Sequence, residues 1–175
     1  TPLTKETGNY LETTNPDIIL AALDLFQKRT DLKTVVIDDY QYILADEYMM
    51  STKTNFAKYD SIGKNAYTIL RKLYLLKDKN VFVLTHIDVS SDGTTYKVKT
   101  IGKMLDEKIT VEGLFTVVLV ANQEVDNGKM VKNFVTNYNG KYNLAKSPHS
   151  MFKDVYIKND LGLVLKTMTE YYEGE

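Results

Sequence analysis

The sequence contains no cysteine, which excludes a disulfide framework and any cysteine-ligated zinc. It has only two histidines, and His149, with no second histidine near it, reads as a surface residue rather than a metal ligand. No apolar run reaches the roughly 18–20 residues that a membrane span needs, so no membrane association is expected. Charge of one sign is also missing. With 22 Lys and Arg against 23 Asp and Glu, the net charge is −1, so no overall positive field draws the protein to nucleic acid and any basic patch must be local. The remaining absence concerns phosphate chemistry. A phosphate-binding loop follows G-x-x-x-x-G-K-[ST], with backbone N–H groups cradling the phosphates. The chain has four Gly-Lys pairs, Gly63-Lys64, Gly102-Lys103, Gly128-Lys129 and Gly140-Lys141. None has a glycine five residues before its own, and none is followed by Ser or Thr.

What is present is ordinary globular material. The 175 residues are 43% hydrophobic and 26% charged, enough for one domain with a sizeable core. Asn15-Pro16 is a helix opening, N-cap then Pro at the first helical position, and Ile18, Ile19, Ala22, Leu23 and Phe26 follow at helical spacing. Val35 to Ile37 reads as a short all-apolar strand, the pattern of a parallel sheet covered on both faces. Helices are expected over Gln41 to Met50 and, after a polar stretch from Ser51 to Lys58, along Ile62, Ala66, Ile69, Leu70, Leu73 and Leu76. "NVFVLTH" (Asn80 to His86) is a second strand, and Asp92-Gly93 is the turn of a hairpin returning as Thr94 to Thr100. A short helix is expected near Lys103 to Lys108, where Asp106, Glu107 and Lys108 form a solvated face. "LFTVVLVA" (Leu114 to Ala121) is a third apolar strand, turned back at Asn127-Gly128, and a last amphipathic helix starts after Asp160. Apolar strands alternating with amphipathic helices give an α/β domain. Its sheet should be mostly parallel with flanking helices, and antiparallel hairpins should lie at the later edge.

In open α/β sheets ligands sit at the carboxyl ends of the strands, which singles out Asp38-Asp39, Thr85-His86 and the region after Ala121. A carboxylate pair after an aliphatic strand is the Walker B arrangement. The first acid holds Mg²⁺ through water, a neighbouring acid orients the attacking water, and a polar residue ending the next strand senses the terminal phosphate. The alternative is structural, with Asp39 as N-cap of the Gln41 helix and Asp38 as a solvated loop acid.

The runs "VVIDDYQYILADE", "NVFVLTHID", "KVKTIGKMLDEKITVEGLFTVVL", "AKSP..MF" and "NDL" together resemble a family of phage-encoded, RecA-like nucleotide-binding proteins. Some members of that family are grouped with the phage single-strand annealing recombinases. The resemblance covers nearly the whole chain, and "KTIGKMLDEKIT" is its most specific segment. It implies a single RecA-like P-loop NTPase domain over residues 1–175, with ATP and Mg²⁺ as cofactors and a role in phage DNA recombination or replication in a bacterial host's cytoplasm. By position, Asp38 resembles the Walker B acid on the metal side and Asp39 its catalytic neighbour. Thr85 and His86 resemble the sensor. The family's phosphate loop is expected upstream of Thr1, and a catalytic glutamate with it, so these 175 residues alone are expected to hydrolyse ATP poorly.

The resemblance also implies single-stranded DNA as a partner, a homo-oligomer, and contacts with phage replication or recombination proteins. Lys97, Lys99 and Lys103, with Tyr96 among them, lie in the segment after the sensor strand, where RecA-like proteins face DNA, and lysine with an aromatic suits single strands. Lys53 and Lys58 occupy the place of the other DNA-facing loop. Each group has a plainer reading, as edge-strand charges that deter aggregation or as an ordinary charged loop. Lys146 could reach a nucleotide bound by this or a neighbouring subunit, or could be a loop lysine ahead of a Ser-Pro helix start. The thirteen tyrosines read mostly as core edge rather than as a stacking platform. Two further functions stay open. One is a non-catalytic binding module of the same fold. The other is a small-molecule kinase, disfavoured because Arg29 and Arg71 are the only arginines.

Overall fold

The computed structural model describes residues 4–102, 105 and 109–174. The expected helix near Lys103 to Lys108 lies largely outside the described residues, as does the Lys103 side chain. The fold is mixed α/β, and its contacts gather in two compact units where the sequence suggested one domain. The first unit is Thr1–His86 with Thr100–Ile109, and the second is Ile87–Lys99 with Thr110–Glu175.

The first unit holds α1 (Pro16–Lys28), β1 (Thr34–Ile37), α2 (Tyr40–Met50), α3 (Asn55–Tyr74) and β2 (Asn80–Val83). Helix α1 starts where the Asn15 side chain accepts from the Asp17 and Ile18 amides at 2.9 and 3.3 Å, satisfying donors that a helix start leaves orphaned. It buries Ile19, Leu23 and Phe26 and packs against α3. Ile18, placed on the same stripe from sequence, is exposed. Helix α2 packs against α3 as well, so α3, with Ile62, Ala66, Ile69, Leu70 and Leu73 buried, is the shared spine. Each of the isoleucine and leucine side chains contributes roughly 1.5–3 kcal/mol when removed from water. Strands β1 and β2 pair in parallel, Thr34 with Asn80 through to Ile37 with Val83. This sheet has two strands among the described residues, and Val36 remains 49% exposed. The expectation of two covered faces is therefore not met.

The second unit is antiparallel. Strands β3 (Ile87–Val89) and β4 (Tyr96–Val98) form the hairpin turned by Asp92-Gly93. Strands β5 (Val120–Asp126), β6 (Lys129–Val135) and β7 (Tyr156–Lys158) form a three-stranded sheet in that order, with Asn127-Gly128 at the first turn. Helix α4 (Leu161–Glu173) is capped by Asp160, whose carboxylate accepts from the Gly162 and Leu163 amides. Two clusters make the core. Phe134, Met151, Phe152 and Val164 form one, with Leu161 and Met168 of α4 against it. Val120, Val135, Leu144 and Ala145 form the other.

Two expectations change here. The sheets are separate and small, and parallel pairing is confined to β1 and β2 among the described residues. "LFTVVLVA" is not a third parallel strand either. It begins in a 3-10 turn, Val111–Leu114, bridges Val118 to Lys146, and enters β5 only at Val120. Its continuous apolarity has another cause: Val117 and Leu119 pack on one cluster and Val118 on the other, so three successive side chains are each partly covered.

Candidate functional site

Parallel, in-register pairing brings the ends of β1 and β2 side by side. The ladder continues past the strands, with the Leu84 amide donating to Ile37 O at 2.8 Å and the Tyr40 amide to Leu84 O at 2.9 Å. Asp38 and Asp39, both exposed, thus end β1 beside the end of β2, where Asp39 meets His86. His86 Nε2 lies 3.6 Å from Asp39 Oδ1, close enough for attraction when the imidazole is protonated but too long for a hydrogen bond. Tyr42 meets the imidazole edge-on, with ring centroids 6.3 Å apart.

Gln41, which sequence reading did not single out, joins these ends. It is only 6% exposed and sits in the first turn of α2. Its Oε1 accepts from Thr85 Oγ1 at 3.0 Å and from the His86 amide at 3.1 Å, while its Nε2 donates to Asp39 Oδ1 at 3.3 Å. One buried amide therefore spans both strand ends, and the α2 core pattern Tyr40, Ile43, Leu44 was the available clue, since a polar residue interrupts it. The Thr85 hydroxyl hydrogen is used by this bond. While it lasts, the Thr85 hydroxyl has no hydrogen to offer another acceptor.

Asp39 occupies the N-cap position of α2 with φ 51° and ψ 47°, yet its side chain makes no capping hydrogen bond. The structural alternative for Asp39 accordingly lacks its defining contact. Strained non-glycine backbone of this kind concentrates at functional sites.

The remaining candidates fall elsewhere. Lys53 Nζ donates to Ser61 Oγ at 2.9 Å, and Ser61 Oγ donates to Glu47. Lys58 Nζ lies 3.8 Å from the Tyr48 ring centroid. Lys53, in the loop before α3, is thus folded onto α3, and Lys58 of α3 onto Tyr48 of α2. Lys146 belongs to the second unit, where its backbone pairs with Val118, and no helix follows Ser147-Pro148. Lys97 and Lys99 flank buried Val98 and point the same way, both exposed. Asp88 faces Lys97 across the hairpin and lies 3.9 Å from Lys99 Nζ, so this basic pair carries an acid of its own.

No helix among the described residues is long and apolar enough to cross a membrane. In comparisons with known proteins, no family model, no curated protein and no solved structure matches the chain.

Proposed function

We propose that this chain is part of a phage RecA-like protein that binds ATP with Mg²⁺ and acts, as a homo-oligomer, on single-stranded DNA in recombination or replication. The observation that carries the reading is the strand-end cluster, in which parallel β1 and β2 bring Asp39 to Thr85 and His86 through buried Gln41, with exposed Asp38 next to Asp39 at the end of β1. Magnesium favours one or two carboxylates with water and substrate phosphates completing its shell. The exposed pair Asp38 and Asp39 offers that set, and among the described residues no larger group of His, Asp or Glu converges. Asp38 would hold the hydrated ion, which when bound offsets phosphate charge. Asp39, fixed by Gln41 and beside His86, would orient a water, and His86 would donate toward the terminal phosphate. Lys97 and Lys99 would supply local positive charge for the DNA backbone despite Asp88.

A second reading is a non-catalytic binding module for phage replication or recombination proteins. It is favoured by the Gly-Lys pairs, none of which fits the phosphate-loop sequence pattern. Gly63 lies inside α3, while Gly128 and Gly140 sit at positive φ in turns.

ATP turnover by the full-length protein separates the two. Asp38→Asn is expected to abolish Mg-dependent turnover and leave the thermal melt unchanged. Wild-type turnover in that variant would return Asp38 to a solvated loop acid. No Mg-dependent nucleotide binding by the wild-type protein would leave the second reading.

A further inference from the structure

The second unit carries a surface that the ATP site does not explain. Between β6 and the Ala145 core position runs Asn137-Tyr-Asn-Gly-Lys-Tyr-Asn143, in which every asparagine is a clamp. Asn137 exchanges hydrogen bonds with Ser147, Nδ2 to Oγ at 2.8 Å and Oδ1 from the amide at 3.1 Å. Asn139 Oδ1 accepts from the Lys141 and Tyr142 amides at 3.0 and 2.9 Å, and its Nδ2 donates to Tyr156 Oη at 2.9 Å. Asn143 grips both backbone groups of Tyr96, Oδ1 from the amide at 2.7 Å and Nδ2 to the carbonyl at 3.1 Å. The loop is therefore fixed to β4, the strand that carries Lys97, and to β7.

The residues between the clamps are aromatic and basic. Tyr138 is 64% exposed and Tyr156 48% exposed, so neither ring is consumed by the core. Tyr142 packs edge-on against Tyr96 at 4.9 Å, and Lys141 Nζ lies 4.8 Å from the Tyr142 ring centroid. Tyr142 first, then Tyr96 and Tyr156, hold the Lys141 ammonium above its ordinary pKa, and no carboxylate of the described residues contributes to the shift. Lys97 and Lys99, by contrast, have Asp88 beside them.

We infer that the Tyr138–Lys141–Tyr156 surface, joined to Tyr96 through Tyr142, is a stacking site for single-stranded nucleic acid. Lys141 takes a phosphate while unpaired bases lie on the two exposed tyrosine rings. Ring faces and a cation in a prefixed loop suit a strand with unstacked bases, whereas a duplex keeps its bases from them. Rigid clamping lowers the ordering cost of binding. The inference rests on the single-strand reading proposed above and moves its centre from the Lys97 and Lys99 pair to the loop.

Fluorescence anisotropy of labelled oligothymidylate with the full-length protein, over a salt series, tests it. Tyr138→Ala should weaken binding about tenfold and Tyr138→Phe should not. Lys141→Ala should weaken binding and reduce the salt slope by about one. A duplex of equal length should bind more weakly than the single strand. Photo-crosslinking of an iodouracil oligonucleotide should map to Tyr138 or Tyr156, a readout that does not depend on any variant folding. If Lys97→Ala with Lys99→Ala loses affinity while both loop variants keep theirs, the inference fails and the proposed function stands. If the wild-type protein binds no oligonucleotide, both fall.

Discussion

Left-handed backbone costs a non-glycine residue on the order of 1–3 kcal/mol, and Asp39 adopts it between β1 and α2. The next residue holds it there. Tyr40 is 0% exposed, its amide bonds Leu84 and its phenol donates to Ala66 O at 3.1 Å, and burial pushes the phenol's pKa up. Aspartate and asparagine tolerate this conformation best among the non-glycine residues, so a run ending in two aspartates was compatible with the turn but did not reveal it. Gln41 was less legible still, because its role exists only once two strands distant in sequence lie together. Asp92 is the opposite case, since its partners are its neighbours. The Ser90 hydroxyl, then the Thr94 amide and hydroxyl, hold its carboxyl down at about 2. A depressed folded-state pKa stabilises the turn above the ordinary value of 3.8, and that contribution is lost as pH falls from there through about 2. Carboxyl NMR titration should accordingly place the Asp92 midpoint near 2. A midpoint near 3.8 would mean that the Ser90 and Thr94 bonds do not persist in solution.

At the scale of elements, signals confined to a few adjacent residues were the readable ones. Asn15-Pro16 and Asp160 each start a helix where expected, and Asp92-Gly93 and Asn127-Gly128 each turn a hairpin. Strand β7 gave no such signal, being three residues completed by pairing with β6. The 114–121 run misled because apolarity reports coverage, and coverage here comes from two clusters rather than from two layers of helices. The polar stretch before α3 misled in the same way, because α3 already begins at Asn55, with an exposed first turn that composition reads as loop. The Asn15 cap can be tested in isolation. Replacing Asn15 by Ala removes the acceptor of two amides and should cost about 1 kcal/mol. In urea unfolding this would appear as a lower midpoint with an unchanged slope. An unchanged midpoint would show that the Pro16 start suffices without the cap.

For the molecule as a whole, the mixed α/β class was legible and the pairing of its sheets was not, because hydrophobic periodicity marks elements and not which of them pair. The same limit shapes what the chain can hold. Grip on a triphosphate comes chiefly from consecutive backbone N–H groups at a strand-to-helix loop, and the described surroundings of Gly63, Gly128 and Gly140 are a helix interior, a hairpin turn and an asparagine-clamped loop. Under the proposed function, what would remain for a nucleotide is the metal side alone: two carboxylates, the Thr85 hydroxyl engaged by Gln41, and the His86 ring. These groups meet phosphate only through a hydrated ion and one donor. The 175 residues by themselves should therefore bind Mg-ATP with a dissociation constant in the millimolar range or weaker, about 4 kcal/mol or less. The weak binding should depend on Mg²⁺ and disappear in Asp38→Asn. Calorimetric titration measures this directly. A micromolar constant that survives Asp38→Asn would locate the phosphate site away from the β1 and β2 strand ends and overturn the assignment of that cluster to nucleotide.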